Sequence, residues 1–288
     1  MTRSAWVIGS PITHSISPAI HNAAFAALGV DAHYGAAEVP PSALGDWVES
    51  VRRTTTLGFS VTLPHKVAIQ EHLDAIEGDA KLAGAVNTVV ASVQDGTIRL
   101  TGTNTDTLGF RRLLADEGDI SLAGREVLLL GAGGAARAVA LVALQDRAAR
   151  LWIANRHPER ARALLDDLAS LAVETEIEAL EMTDERLPML LGRPSVVVNA
   201  TSVGLAGDEM PLDPKGIAPE SVAVDLIYNP RETAFLRAAR QDGARVLGGL
   251  GMLVFQAAAA FERWTGTEAP IPVMRAAAEA ALRKRETT

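Results

Sequence analysis

A glycine-rich turn between a strand-like run and an alanine-rich helical run restricts the fold of this chain more than any other segment. Residues 126–130 are apolar enough for a buried parallel strand, and residues 137–142 begin a helical pattern. Between them, Gly131 permits a tight turn and Gly133 lets a pyrophosphate approach bare backbone, while Ala136 is small enough for helix–strand packing. The helix N-terminus would supply the electrostatics for phosphates. The segment therefore predicts a dinucleotide-binding unit.

The next predicted strand, residues 150–154, is not followed by the acidic residue that would bind the ribose 2′-hydroxyl of NAD. Asn155, Arg156 and His157 follow instead, with Arg160 one turn later. Guanidinium groups at this point suit a 2′-phosphate, so NADP is the favoured cofactor. The alternative is that the two arginines only solvate a helix start. A helix N-terminus is a poor place for cations unless an anion joins them, which favours the phosphate.

Composition limits the class of protein. A length of 288 residues predicts two domains, and 48% hydrophobic with 22% charged residues is typical of a soluble globular protein. The net charge of −8 argues against nucleic acid or an anionic membrane as a partner. The absence of Cys excludes disulfides and thiolate chemistry and fits a cytoplasmic location. The six His residues have no close metal-ligand spacing, so no metal is predicted.

No uncharged apolar run approaches the length of a membrane span, and the first residues resemble a strand rather than a signal peptide. In the first hundred residues strand and helix patterns alternate, which indicates an α/β domain. The predicted elements are strands at 5–8, 33–37 and 58–62, helices at 18–28, 43–53 and 64–73, and a hairpin formed by 87–93 and 98–100.

A helix at 106–116 leads to the second half, where strands are spaced as in a doubly wound Rossmann sheet. They are predicted at 127–130, 150–154, 177–180, 195–199, 223–227 and 244–247. Two alanine-rich helices, 252–265 and 272–284, have no strand partner and are expected to pack back on the first domain. We therefore expect an α/β substrate domain, formed by residues 1–105 and 250–288, and a Rossmann-type parallel-sheet NADP domain at 106–249.

Two serines precede the first helix. Ser17 is followed by Pro18, which predicts a helix N-cap with proline at the first helical position. That role does not explain Ser15. Two hydroxyls beside a helix N-terminus would also suit a carboxylate ligand.

Lys66 and Asp106 are the residues best suited to proton chemistry. Lys66 would lie in the first turn of the helix predicted at 64–73, where the helix dipole opposes a cation and could make it a proton donor or acceptor. A solvated surface lysine is the alternative. Asp106 could be a plain helix N-cap, or it could keep Lys66 charged and oriented. The two residues make sense as functional groups only if they meet.

Three polar residues lie at less common positions. Asn87 begins an apolar strand, where by itself it would be a turn residue. Gln256 lies within an apolar helical run and needs hydrogen-bond partners there. Tyr228 follows a predicted strand at the edge of the sheet where ligands bind.

These segments together resemble the shikimate dehydrogenase family over nearly the whole chain. The matching stretches are Ser-Ile-Ser-Pro at 15–18, Val-Thr-Leu-Pro-His-Lys at 61–66, Gly-Ala-Val-Asn-Thr at 84–88, Asn-Thr-Asp at 104–106, the turn at 131–138, Asn-Arg at 155–156, Asn-Ala-Thr-Ser-Val-Gly at 199–204, Tyr-Asn-Pro at 228–230 and the run 249–256. Two positions depart from the family pattern: Ser60 replaces a common Asn, and His157 replaces a common Thr.

The resemblance implies a role for each matching residue. It makes Lys66 and Asp106 the catalytic pair. It assigns the substrate carboxylate to Ser15, Ser17 and Tyr228, and the ring hydroxyls to Thr62, Asn87 and Gln256. It assigns the cofactor to Gly131, Ala132, Gly133, Gly134, Ala135, Asn155, Arg156, His157 and Arg160, with Leu226 and Gly249 at the nicotinamide end.

The activity that the resemblance implies is the reversible NADPH-dependent reduction of 3-dehydroshikimate to shikimate, a step toward chorismate and the aromatic amino acids. One alternative is a quinate/shikimate dehydrogenase of broader substrate or cofactor range, which predicts an acidic residue near position 156. A non-catalytic NADP-sensing regulatory protein is the other, and it would have no need for Lys66, Asp106 and a full set of polyol-binding residues. The expected partners are small molecules only, in a monomer or homodimer.

Overall fold

The computed structural model describes residues 2–193 and 195–286, of which residue 286 is described by its backbone alone. Two compact units divide the chain. The first consists of Met1–Gly109 and Val254–Thr288, and the second of Phe110–Leu253.

The first unit contains a mixed sheet with helices. Its elements are β1 (Arg3–Gly9), α1 (Ser17–Ala27), β2 (Ala32–Glu38), α2 (Leu44–Val51), β3 (Thr56–Val61), β4 (Ala75–Ile76), α3 (Asp79–Ala83), β5 (Thr88–Gln94) and β6 (Thr97–Thr103). The strand order is β2-β1-β3-β5-β6-β4. Strand β1 is parallel to both β2 and β3, and the β5–β6 hairpin is antiparallel. Strand β4 and helix α3 have no counterpart among the sequence predictions.

Helix α4 (Asp106–Arg112) leads into the second unit and continues as a π-helical turn, Leu113–Glu117. The elements that follow are β7 (Glu126–Leu130), α5 (Gly134–Gln145), β8 (Arg150–Asn155), α6 (Pro158–Leu168), β9 (Glu176–Glu181), α7 (Leu187–Leu191), β10 (Ser195–Asn199), β11 (Val222–Asp225), α8 (Ala234–Gln241) and β12 (Arg245–Gly248). Helices α9 (Leu250–Thr265) and α10 (Ile271–Glu286) complete the chain.

The second sheet is parallel throughout, with the order β12-β11-β10-β7-β8-β9. Its central strands are buried on both faces, as the uninterrupted apolar runs predict. The strand order reverses between β7 and β10, and ligands of such sheets bind beside the carboxyl ends of the strands at this point. The predicted α/β class and Rossmann-type domain are confirmed.

Helix α10 packs against α1, both in the first unit. The indole of Trp264 on α9 donates a hydrogen bond to the Val89 carbonyl of β5 at 2.9 Å. The expectation that the two C-terminal helices pack on the first domain is therefore also confirmed.

Two predicted elements differ from the structure. The strand predicted at 223–227 ends at Asp225, because its carboxylate accepts a hydrogen bond from the Ile227 amide at 3.0 Å and turns the chain. The helix predicted at 64–73 is a 3₁₀ helix, Ala68–His72. The Lys66 carbonyl accepts a hydrogen bond from the Val86 amide at 2.7 Å, which removes it from any helical pattern.

Candidate active site

Lys66 lies in the turn after β3, and its surroundings differ from the sequence prediction. No α-helix begins there, so the expected opposition of a helix dipole to its charge is wrong. The neighbouring His65 is buried, and its ring Nε2 lies 2.6 Å from the Val39 carbonyl oxygen. Together with the Lys66–Val86 backbone hydrogen bond, this contact fixes the turn. The position of Lys66 is thus set by contacts with distant parts of the chain.

Lys66 and Asp106 form an ion pair. Lys66 Nζ lies 2.5 Å from Asp106 Oδ2, and the two side chains are 15% and 7% exposed. The other carboxylate oxygen, Oδ1, accepts a hydrogen bond of 2.8 Å from Asn87 Nδ2. With both oxygens engaged, the carboxylate has one orientation and holds the ammonium in place. An ammonium fixed in this way can stabilise a developing negative charge and transfer a proton to it.

The expectation that Asp106 might be a plain N-cap is wrong, although α4 begins at this residue. Asn104 forms a turn just before the helix: its Oδ1 accepts a hydrogen bond from the Asp106 amide at 2.9 Å, and its Nδ2 donates to the Ala85 carbonyl at 2.8 Å. The Asp106 carboxylate is therefore available to Lys66.

Asn87 connects the ion pair to two other elements. Its Nδ2 also lies 2.9 Å from Thr105 Oγ1 and 3.4 Å from Gln256 Oε1 on α9. Its Oδ1 accepts hydrogen bonds from the Thr105 amide at 2.7 Å and from the Thr88 hydroxyl at 3.0 Å. The structure thus brings Asn87 and Gln256 together beside the ion pair. Sequence spacing could not show this, because the two residues are 169 positions apart.

Thr62 lies directly after β3, on the same turn as Lys66. Its amide donates a hydrogen bond to the Ile8 carbonyl of the neighbouring β1 at 2.9 Å, and its side chain is half-buried. This places Thr62 at the carboxyl ends of two parallel strands.

The predicted cap at Ser17 is wrong. Ser17 is the first residue of α1, and the N-cap position is Ile16, which has no side-chain capping hydrogen bond. Ser15 Oγ instead accepts a hydrogen bond from the Ser17 amide at 3.3 Å. The Arg285 guanidinium of α10 donates to the Ser15 carbonyl at 3.2 Å and to the Thr13 carbonyl at 3.3 Å, and it also contacts the His14 carbonyl. Sequence reasoning missed this arginine, because no local pattern connects residue 285 with the loop before α1.

The glycine-rich turn has the geometry that the sequence predicts. Gly131 has φ +107°, which L side chains rarely adopt, and a Cβ there would lie 3.1 Å from the Ala200 carbonyl oxygen. Helix α5 begins at Gly134, and Gly133 is its N-cap residue. A Cβ at Gly133 would meet nothing within 4 Å, so the backbone is open on this side. Free amides at an open helix N-terminus can hold a phosphate.

The two arginines after β8 are exposed. Within residues 2–193 and 195–286, neither Arg156 nor Arg160 forms an ion pair. Asn155 Nδ2 donates to the His157 carbonyl at 2.9 Å and shapes the turn, while His157 Nδ1 lies 3.5 Å from Glu159 Oε1. Two unpaired guanidiniums beside this turn can accept a dianionic phosphate. With the open helix N-terminus, these residues fit the predicted cofactor.

Leu226 and Gly249 lie close to each other at the end of the second sheet, and Tyr228 belongs to the same segment as Leu226. Leu226 follows β11 directly, and its amide donates to the Asn199 carbonyl at 3.0 Å. A Cβ at Gly249 would lie only 2.2 Å from the Leu226 carbonyl oxygen, so glycine is required for this close approach. Tyr228 is half-buried two residues after Leu226.

Two negative findings concern only the described part of the chain. No group of three His, Asp or Glu side chains there could hold a metal ion. None of the helices there is both long and apolar enough to cross a membrane.

Three family models match the chain. The shikimate dehydrogenase substrate binding domain matches residues 7–89, and shikimate / quinate 5-dehydrogenase matches residues 113–205. The shikimate 5′-dehydrogenase C-terminal domain matches residues 249–279.

Whole proteins are also similar to this chain. A shikimate dehydrogenase (NADP(+)) of Symbiobacterium thermophilum is 45% identical over 96% of this chain and 93% of its own length. The structure of shikimate 5-dehydrogenase from Thermus thermophilus in complex with NADP(H) and shikimate has a TM-score of 0.84 at 39% identity, covering 97% of this chain and 100% of the other. Quinate dehydrogenase from Corynebacterium glutamicum in complex with NAD has a TM-score of 0.86 at 29% identity, covering 97% and 99%. From the relative of 45% identity and the three family models it follows that this chain belongs to the shikimate dehydrogenase family.

Proposed function

We propose that this protein is an NADP-dependent shikimate dehydrogenase, an oxidoreductase that reversibly reduces 3-dehydroshikimate to shikimate on the route to chorismate and the aromatic amino acids. The observation that carries the proposal is the buried Lys66–Asp106 ion pair with Asn87 and Gln256 beside it. Family membership and relatives named for this activity support it.

NADPH supplies the hydride that reduces the ring ketone. As the ketone carbon accepts it, negative charge develops on the ketone oxygen. The Lys66 ammonium stabilises this charge and donates a proton to the oxygen, and it accepts the proton in the reverse direction. Asp106 keeps the Lys66 ammonium in place, because its carboxylate is held by Asn87 on one side and contacts Lys66 Nζ on the other.

The remaining substrate contacts follow from polar side chains near this pair and from the family resemblance. The ring hydroxyls are bound by Asn87, Gln256 and Thr62. Asn87 Nδ2 already donates a hydrogen bond to Gln256 Oε1, which a polyol can replace or bridge. Ser15 and Ser17, at the start of α1, bind the substrate carboxylate, for which a helix N-terminus is favourable. The family resemblance also assigns Tyr228 to binding of the substrate carboxylate.

NADP is held by the second unit. The phosphate-binding group is the turn before α5 and its helix N-terminus, formed by Gly131, Ala132, Gly133, Gly134 and Ala135. The 2′-phosphate is bound by Arg156 and Arg160, with Asn155 and His157 shaping the turn. The nicotinamide end meets the backbone at Leu226 and Gly249.

We assign substrate binding to residues 1–105 and 250–288 and cofactor binding to residues 106–249. Each boundary lies within four residues of a boundary between the compact units, at 109/110 and 253/254. We further propose a cytoplasmic monomer or homodimer, to be checked by light scattering of the purified protein and by cell fractionation.

The test of the activity is a set of initial rates with shikimate and with quinate, each with NADP and with NAD. The proposed function predicts the highest kcat/KM for shikimate with NADP. A higher kcat/KM for quinate with NAD would show a quinate dehydrogenase instead. NADP binding without turnover of either substrate would show a non-catalytic cofactor-binding protein.

A further inference from the structure

A buried carboxylate lies at the end of β11 and has no role in the proposed chemistry. Asp225 is 0% exposed and accepts hydrogen bonds from three directions. Oδ1 accepts from Asn199 Nδ2 at 3.1 Å and from the Ile227 amide at 3.0 Å, and Oδ2 accepts from the Thr233 hydroxyl at 2.7 Å. These donors come from β10, from the segment after β11, and from the N-cap of α8.

Each donor is itself fully engaged. Asn199 also donates to the Val203 carbonyl at 3.2 Å, and its Oδ1 accepts from the Thr201 amide at 3.0 Å. Thr233 Oγ1 accepts from the Leu236 amide as the α8 cap. The Asp225 carboxylate therefore joins a helix start to the loops that follow two adjacent strands.

The carboxylate is costly to bury. In the part of the chain that the structure describes, no basic side chain pairs with Asp225. Burial raises the pKa of its carboxyl above the usual range, because this effect outweighs the three hydrogen bonds that lower the pKa. A buried anion without a cation is tolerated only where its hydrogen bonds are complete. Its retention here indicates that the position of the donors matters.

The segment after Asp225 is fixed from its other side as well. The Gly249 amide donates a hydrogen bond to the Ile227 carbonyl at 3.1 Å. Gly249 also lies so close to Leu226 that a Cβ would be 2.2 Å from the Leu226 carbonyl oxygen. The backbone between Asp225 and Tyr228 thus has one hydrogen bond to the carboxylate and one direct contact with Gly249. Such a segment cannot shift without breaking one of them.

We propose that Asp225 is a positioning residue that fixes the 226–228 segment, so that one buried carboxylate sets the place of both the nicotinamide contact at Leu226 and the substrate contact at Tyr228. This inference rests on the proposed function for those two contacts. Asp225 itself is fully buried. It acts through the Ile227 amide, which lies between the two contact residues, and through Asn199 and Thr233, which hold the carboxylate itself.

The test compares Asp225→Ala with Asp225→Asn and with Ser221→Ala. Ser221 lies at the opposite end of β11, just before its first residue, and is also 0% exposed. It accepts a hydrogen bond from the Ser195 amide at 3.0 Å and donates one to the Arg193 carbonyl at 3.3 Å. Its removal therefore breaks buried hydrogen bonds between the same two chain segments without touching residues 226–228. The readouts are kcat and KM for shikimate, KM for NADP, and the Kd of adenosine 2′,5′-bisphosphate, which lacks the nicotinamide end.

Asp225→Ala should lower kcat/KM for shikimate by about tenfold to a hundredfold, because a small displacement of a positioning group is enough for such losses. The Kd of adenosine 2′,5′-bisphosphate should stay within about twofold, since the turn before α5 is untouched. Asp225→Asn can keep the contacts to Ile227 and Asn199 through its Oδ1 and should recover most of the loss. Ser221→Ala should retain the wild-type kinetic constants.

Two further variants make the test decisive. In an Asp225→Ala/Tyr228→Phe double variant, the combined loss should be clearly smaller than the product of the single losses, because Asp225 acts partly through Tyr228. If Asp225→Ala does not fold, Gly249→Ala displaces the same segment from the other side and should reproduce the selective loss of kcat/KM with unchanged binding of adenosine 2′,5′-bisphosphate.

Any of three results would overturn the inference: an Asp225→Ala or Gly249→Ala enzyme with normal kcat/KM, an equal loss in Ser221→Ala, or an Asp225→Asn enzyme as poor as Asp225→Ala. A wild type that does not oxidise shikimate would instead refute the proposed function, so the two failures are distinguishable.

Discussion

Replacement of Lys66 by alanine removes the ammonium that pairs with Asp106. The carboxylate then keeps only the hydrogen bond from Asn87 Nδ2 at 2.8 Å, in a position where its side chain is 7% exposed. Truncation of one member of a buried ion pair costs about 3–5 kcal/mol of stability when the other charge stays uncompensated. We expect the lower part of that range, because the hydrogen bond from Asn87 to the carboxylate remains.

The loss in catalysis has a different origin. A positioned general acid–base group contributes about 10²–10⁴-fold, equivalent to roughly 2.7–5.4 kcal/mol of activation free energy. Lys66→Ala should therefore lower kcat by that factor with a smaller change in KM, because the ammonium interacts most strongly with the charge that develops in the transition state.

Asp106→Asn tests the pairing itself. An amide at position 106 can still accept the Asn87 hydrogen bond through its oxygen, but it then turns an N–H₂ donor toward the Lys66 ammonium, 2.5 Å from Nζ in the native geometry. Lys66 loses its acceptor, so a severe loss of kcat is expected. The double variant should lose much less than the product of the two single losses, because the residues act as one unit.

The assay is steady-state oxidation of shikimate with NADP, at a temperature where circular dichroism shows each variant to be folded. Lys81→Ala, which removes an exposed lysine from α3 in the same unit, is the matched control and should retain wild-type kcat. A folded Lys66→Ala enzyme with kcat within about threefold of wild type would refute the catalytic assignment, and so would fully additive losses in the double variant.

Three further variants examine other parts of the molecule. Arg156→Asp should turn the preference from NADP toward NAD, because a guanidinium–phosphate hydrogen bond is worth about 1.5–3 kcal/mol. Arg162→Asp, the same charge change at an exposed position of α6, should keep the wild-type ratio of kcat/KM with NADP to kcat/KM with NAD. An Arg156→Asp enzyme that also keeps this ratio contradicts the 2′-phosphate site. Ser15→Ala should raise KM for shikimate and reduce stability by no more than about 1 kcal/mol, since only a 3.3 Å turn hydrogen bond is lost; an unchanged KM removes Ser15 from the carboxylate site. Burial lowers the pKa of His21 from 6.5 to about 3, so the unfolded chain binds a proton that the folded chain does not, and stability present above pH 6.5 is lost as pH falls toward 3. Between about pH 7 and pH 5 the wild type should lose about 2 kcal/mol of unfolding free energy that His21→Gln does not lose. His33→Gln, at an exposed position, should follow the wild type. An equal dependence of unfolding free energy on pH in wild type and His21→Gln would contradict this.

The sequence predicts the second unit better than the first, for a physical reason. The strand before Gly131 and the helix after it are specified by residues that are neighbours in sequence, and the whole parallel sheet follows from apolar runs of this kind. The predicted helix at 64–73 fails because the Lys66 carbonyl bonds to the Val86 amide, a contact with a distant residue that no local pattern contains. Tertiary contacts override helical propensity there.

The candidate site shows the same division. The residue types at positions 66 and 106 suit proton chemistry, and the family resemblance assigns positions 87 and 256 to ring hydroxyls. The structure brings all four together. Asp106 is the first residue of α4 and its carboxylate binds Lys66 and Asn87, which its residue type, equally suited to a helix cap, does not reveal. Asp225 gave no signal in the sequence, because an acidic residue at the end of a strand is indistinguishable from an exposed one until its donors are known.

The most direct measurement of the central claim is the stoichiometric conversion of 3-dehydroshikimate. Purified protein is incubated with a limiting amount of NADPH and excess 3-dehydroshikimate, the fall in NADPH absorbance is followed, and the product is identified by chromatography against authentic shikimate. The proposed activity predicts one shikimate formed for each NADPH consumed in wild type, with the rate reduced by about 10²-fold or more in Lys66→Ala. NADPH consumption without shikimate, no consumption at all, or an equal rate in Lys66→Ala would contradict it.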